Sequence, residues 1–311
     1  VKIDVHAHFV PDGYRAALSR AGHDQPDGMP AVPQWSAAEH VAVMDRLGIA
    51  TSLLSISSPG VALGDGSGAV SLAREVNEAG RRAVVDHPGR FGLLASLPFP
   101  DVDAAIAEIA YCCDHLDVDG FVMLTNVNGT YVGDTSCAPV LRELDRRGAR
   151  VLLHPTSPVC WEQTSFGRPR PMLEFFFDTT RAIIDLVLNG TLARCPDLEM
   201  IVPHAGATLP LVADRVAAFA MLLAPDVDVL DALGRLHFDL AGFAVPRQLD
   251  ALLTMTTIDH LHYGSDFPFT PEPVVAGAAE RIDGVESLAE TLHANTSRLF
   301  PTLAHRKGTH R

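Results

Sequence analysis

Short apolar runs rich in β-branched and aromatic residues alternate along the chain with longer stretches of helical spacing. The runs are KIDVHAHFV near the start, TSLLSIS (51–57), RFGLLASLPF (90–99), GFVMLT (120–125), RVLLHP (150–155), EMIVPHAG (199–206), LHFDLAG (236–242) and HLHYGSDFP (260–268). Their lengths and residue types predict buried strands. Between most of them lie amphipathic stretches such as SAAEHVAVMDRLG, DVDAAIAEIAYCCDHL, CAPVLRELDRRG and PLVADRVAAFAMLL. In GAVSLAREVNEAGRRAVVDHPG, residues Leu72, Val76 and Ala79 fall on one helical stripe. Ser36 with Glu39 reads as a capping box, and Gly48 and Gly148 stand where helices should stop.

This alternation predicts an α/β fold, a single (β/α)8 barrel (TIM barrel), which takes about 250 residues plus insertions. A doubly wound open sheet is fed by the same alternation, but no GxGxxG follows the first strand. Two segments exceed ordinary loop lengths. Residues 11–35 are rich in Gly, Pro and Asp, and residues 155–171 carry Trp161, Phe166, Arg168 and Arg170. Both should be insertions at strand C-termini, where barrels place specificity elements. Gly167, Pro169 and Pro171 make the second a reasonable lid. No linker divides the chain, so 1–311 is expected to be one unit.

Composition narrows the partners. A net charge of −14 argues against nucleic acid or an anionic membrane. It also means that an anionic substrate needs its own local cation. The one short basic run is the tail HRKGTHR. Five cysteines (Cys112, Cys113, Cys137, Cys160, Cys195) form no CxxC pair and suit free thiols in a reducing compartment. With no signal-peptide pattern and no apolar run of the ~18 residues a membrane span needs, the chain reads as a cytoplasmic protein.

Chemistry sits at the strand ends. On strict alternation, Asp4, His6 and His8 of the first strand share one face, opposite Ile3, Val5 and Ala7. That polar row is either the outer face of a half-exposed strand or a buried row repaid by a metal. The fifth, sixth and eighth strands end in His154, His204 and Asp266. In a parallel barrel these positions converge on one rim. Each alone is explained as a core histidine or a turn cap; together they describe a metal site. Imidazoles with one carboxylate suit one divalent ion, zinc first, with manganese or iron as alternatives.

The same motifs resemble the amidohydrolase superfamily, in the branch around aminocarboxymuconate-semialdehyde decarboxylase. The likeness runs nearly end to end: IDVHAHFVP, LLHP, RAIIDLVLNGTLARCPDLEMIVPHAGATLPLVADRV, HFDLAGF, YGSDFPF and NTSRLF. It implies His6, His8, His154 and Asp266 as ligands of one metal, with His204 nearby as acid/base or polarising group. It also implies that Arg215, eleven residues after that histidine, reaches a neighbouring subunit's site, hence a homodimer; a surface arginine is the other reading. The family's second substrate-carboxylate arginine has no equivalent in the shorter segment after strand one, where Arg15 and Arg20 read as solvated. A dicarboxylate substrate is therefore not expected, and PQWS and SPG resemble the methylsalicylate decarboxylase side.

The expected partner is a small carboxylic acid, decarboxylated with Asp266 as proton donor and His204 assisting. A hydrolase acting on a lactone or amide would use the same ligands, and the products would tell the two apart. A non-catalytic scaffold would have degraded strand ends, whereas all five positions are intact. Trp35 and Trp161 are candidates to stack on an aromatic substrate, with loop packing as their other reading. Asp178 and Arg181, at i and i+3, read as a helical ion pair, and Asp239 as a supporting partner of the site.

Overall fold

The computed structural model describes residues 1–306, so Lys307–Arg311 of the basic tail lie outside the described residues. All eight runs form strands: β1 Lys2–His8, β2 Ile49–Ser55, β3 Phe91–Ser96, β4 Gly120–Leu124, β5 Arg150–His154, β6 Glu199–Val202, β7 His237–Asp239 and β8 Leu261–His262. Each pairs in parallel with the next in chain order. A parallel bridge from Asp4 to Tyr263 closes the ring, and the Asp266 amide donates to the His6 carbonyl at 2.7 Å. This is the expected (β/α)8 barrel.

The last two strands are shorter than their apolar runs. They end at Asp239 and His262, and beyond them Gly242 (φ +78°) and Asp266 (φ +58°) adopt left-handed conformations. The second halves of those runs therefore form the rim.

Two apolar layers follow from alternation. Phe91, Leu93, Ala95, Phe121, Met123, Val151, Leu153, Met200 and Val202 face outward to the helices. Leu53, Leu94, Val122, Leu152 and Ile201 fill the barrel, and Leu299, Phe300 and Leu303 join them from the chain's last helices. Arg150 Nε donates to the Leu299 carbonyl at 2.9 Å and pins that plug to the strands' N-terminal end.

The first strand departs from expectation. Its register against β2 slips between Asp4 and Ala7, the signature of a bulge that breaks strict alternation. Ile3 and Val5 consequently belong to the inner cluster, on the same side as His6 and His8 rather than opposite them. Asp4 is buried and accepts from the His6 and Ser265 amides at 3.1 and 3.0 Å, clamping the barrel's closing seam. Gly264 is required there, because a Cβ would fall 2.9 Å from that of His6.

Helix Ala37–Leu47 confirms the cap read from sequence. Ser36 Oγ accepts from the Glu39 amide at 3.2 Å, and Gly48 terminates the helix at φ +68°; such a cap stabilises by about 1 kcal/mol. The two long insertions are partly ordered. The first contains helix Asp12–Arg20 and a turn at Pro26–Gly28, the second turns at Trp161–Thr164 and Arg170–Met172. No helix among the described residues is long and apolar enough to cross a membrane.

Asp178 forms the expected helical ion pair with Arg181 at 3.9 Å. Its buried carboxylate also accepts from the Thr125 and Tyr131 hydroxyls and, at 2.9 Å, from Asn126 Nδ2. It thereby anchors the chain leaving β4 as well.

Candidate metal centre and its cavity

The barrel brings His6 and His8 from β1, His154 from β5 and Asp266 from the rim beyond β8 to one point. One ligand atom from each lies within 4.8 Å of every other. His6 Nε2 and His8 Nε2 are 3.1 Å apart, and Asp266 Oδ1 lies 3.6 and 3.1 Å from them. All three imidazoles are buried.

The opposite ring nitrogens explain the orientation. His6 Nδ1 meets Asp239 Oδ2 at 2.8 Å, His8 Nδ1 meets Ser55 Oγ at 2.9 Å, and His154 Nδ1 meets the Pro155 carbonyl at 2.7 Å. With protons assigned to those Nδ1 atoms, each Nε2 presents a lone pair. Lone pairs on three buried imidazoles, gathered beside a partly buried carboxylate, need a cation among them. The residues present thus fit a borderline divalent ion.

Electrostatics point the same way. Burial lowers the pKa of His8, and that of His154 further still, with the neighbouring imidazoles adding to the effect. Burial also opposes a charge on His6, but Asp239 overcomes it and carries that pKa up to about 9. Asp266 is held well below the usual carboxylate range, because His8 and His6 outweigh its desolvation. The site therefore favours positive charge at its centre and an ionised Asp266 beside it.

His204 stands next to this cluster, its ring 5.2 Å from that of His6 and stacked on Phe176 at 5.6 Å. Burial and the neighbouring His6 hold its imidazole below the ordinary pKa. Asp239 supports it too, accepting from the His204 amide at 3.0 Å. Both His204 (φ +55°) and Asp266 (φ +58°) occupy the left-handed region. Such backbone costs about 1–3 kcal/mol at a non-glycine residue and clusters at functional sites.

Above the cluster opens a cavity of about 480 Å³. His154, His204 and Asp266 lie on its wall with Phe175, Phe176, Phe269, Met172 and Met29, and no lysine or arginine among the described residues lines it. Both insertions contribute, through Pro26, Asp27 and Met29 and through Pro171 and Met172.

Other expected contacts fall elsewhere. Trp35 donates from Nε1 to His40 Nδ1 at 2.9 Å and packs its ring near Phe9 and Phe91, away from the cavity. Trp161 is also absent from the lining and stacks instead under the Arg170 guanidinium, 4.2 Å from the ring centroid. Arg215 is exposed on helix Leu209–Leu223, outside this chain's own cavity. The sequence reading missed Ser55 behind His8, and Thr270, whose hydroxyl donates to Asp266 Oδ2 at 3.0 Å. It also missed the aromatic wall, although the triplet Phe175–Phe177 directly after the second insertion was a visible signal.

Comparison with known proteins fits this geometry. The pattern of the amidohydrolase family matches residues 3–302. A 6-methylsalicylic acid decarboxylase of Penicillium expansum is 33% identical over 315 residues, spanning 97% of each chain. A solved structure named amidohydrolase II is 34% identical with a TM-score of 0.93, spanning 97% of this chain and 100% of its own. A dihydroxybenzoic acid decarboxylase of Polaromonas sp. JS666, solved with manganese and the inhibitor 2-nitroresorcinol, shares the fold. Its TM-score is 0.83 at 21% identity, over 100% of this chain and 99% of that one. With its end-to-end match and a His/Asp cluster at the barrel's C-terminal rim, the chain belongs to the amidohydrolase family.

Proposed function

We propose that this protein is a metal-dependent, non-oxidative decarboxylase of a small ortho-hydroxybenzoate, 6-methylsalicylate or a near analogue. The observation that carries this is the donor set of His6, His8, His154 and Asp266 at the base of an aromatic-walled cavity that no lysine or arginine among the described residues lines. A benzoate ring suits walls of phenylalanine and methionine. A divalent ion held by His6, His8, His154 and Asp266 would supply positive charge that attracts the anionic substrate and steadies charge developing on its oxygens.

The chain's own groups then handle the proton. Asp266, ionised at rest, accepts the proton of the ortho-hydroxyl while Thr270 holds its other oxygen. It delivers that proton to the ring carbon bearing the carboxylate. The carbon–carbon bond breaks, its electron pair restores the aromatic ring, and carbon dioxide leaves. The product phenolate regains a proton from solvent. His204, kept neutral, hydrogen-bonds the substrate from the cavity wall and fixes the ring over Asp266. The same ligands serve hydrolases, but the 6-methylsalicylic acid decarboxylase relative favours the lyase. Zinc is the ion proposed, with manganese next, on the imidazole-rich donor set.

The test is a panel of hydroxybenzoic acids, 6-methylsalicylate included, given to zinc-loaded protein and followed by carbon dioxide release. Release from an ortho-hydroxy acid, lost in His154→Ala, is expected. Silence across the panel with cleavage of lactones or amides would overturn the reading in favour of a hydrolase.

We further propose a homodimer in which Arg215 reaches the neighbouring copy's cavity and meets the substrate carboxylate. Arg215 is exposed on a helix that also leaves Leu211, Met221 and Leu222 exposed, and an apolar face of that kind suits a subunit contact. Light scattering should give the mass of two chains, and Arg215→Ala should raise KM about tenfold or more; a monomer of full activity would refute this. Five free cysteines fit a reducing, cytoplasmic setting.

A further inference from the structure

The two insertions are fastened together at the cavity wall. Arg170 lies over the Trp161 ring and donates from Nε to Ser157 Oγ at 3.1 Å. Having accepted that bond, the Ser157 hydroxyl donates its own proton to Asp27 Oδ1. The guanidinium sits so close to Gly28 (φ +72°) that a Cβ there would fall 2.5 Å from Nη1. Asp27 itself is buried with φ +53° and lines the cavity. Among the described residues no hydrogen-bond donor meets its second oxygen, Oδ2.

This places a carboxylate with one oxygen committed in a wall that is part apolar, part polar, and without lysine or arginine among the described residues. Arg170 interacts with Asp27 electrostatically as well as through Ser157, but it does not itself line the cavity. We propose that Asp27 is a specificity-determining residue that rejects substrates carrying a second anionic group, restricting the cavity to monocarboxylic acids. A metal held by the His/Asp cluster would take one carboxylate; a second, beside Asp27, meets like charge in a wall where no lysine or arginine stands among the described residues. This rests on the decarboxylase reading for the identity of the ligand, and on Asp27 alone for the discrimination.

The test compares dissociation constants on zinc-loaded protein by calorimetry. The ligands are salicylates bearing a second carboxylate at ring position 4, 5 or 6, each paired with the corresponding carboxamide. Wild type should bind the carboxamide about tenfold or more tightly than the carboxylate at the position facing Asp27. Asp27→Asn should shrink that ratio by about tenfold, and Asp27→Ser serves if the first variant does not fold. Asparagine is the conservative choice because it tolerates a left-handed backbone.

A ratio unchanged in the neutral variant at all three positions overturns the proposal, even if carbon dioxide is released from hydroxybenzoates. Discrimination that collapses in the variant, without any carbon dioxide release, sustains Asp27's role and sinks the decarboxylase reading instead.

Discussion

Replacing Asp266 by asparagine lowers carbon dioxide release by about a thousandfold or more, the scale on which general acid–base catalysis and an anionic ligand act together. Two features make the substitution clean. Asn adopts φ near +58° readily, so the rim turn after β8 keeps its course. Its side-chain oxygen can still accept from Thr270. What disappears is the charge facing His8 and His6, and the ability to take a proton and return it to carbon. The measurement pairs initial rates of carbon dioxide release with metal content by elemental analysis. A variant that still binds metal but has lost its rate assigns Asp266 the proton; one that loses both assigns it chiefly the ligand role. Activity within about tenfold of wild type would remove Asp266 from the chemistry altogether.

Which parts of this were legible in the sequence follows from period and from range. Strands β3 to β6 alternate between an inner and an outer layer as the pattern predicts, because each packs on helices outside and on neighbours inside. The four clustered side chains were readable because a parallel barrel turns strand ends into neighbours whatever their separation in sequence. The slip in β1 was not, since a bulge is decided by pairing with β2 and β8 rather than by residue type. Trp35 and Trp161 lie off the cavity for a shared reason. Each finds partners far along the chain or in an irregular loop, namely Phe91 and Arg170. Periodicity carries no information about such contacts. Asp27 was invisible for the same cause, being defined by Ser157 in the other insertion.

Stripping the metal with a chelator abolishes carbon dioxide release and lowers the melting temperature while leaving the secondary structure in place. The barrel's hydrophobic layers do not depend on the ion, so the far-ultraviolet circular dichroism spectrum should hold. The site does depend on it. Without a cation, His6, His8, His154 and Asp266 face one another out of water, and a proton on His6 is a partial substitute. At an ion concentration about a hundred times its dissociation constant, binding stabilises the folded chain by about 2.7 kcal/mol. For a chain of 311 residues that corresponds to roughly 4 °C in Tm. Adding back zinc should restore both rate and Tm; the same titration with manganese ranks the two ions on one protein preparation. His154→Ala protein, lacking one ligand, should show little change in Tm on chelation, which separates binding at this centre from ions bound elsewhere. Full carbon dioxide release from demonstrably metal-free wild type would refute the metal's role in the reaction. An unchanged Tm with abolished release would instead confine that role to the chemical step, leaving the supporting contacts of Asp239, Ser55 and Pro155 to hold the imidazoles in place without it.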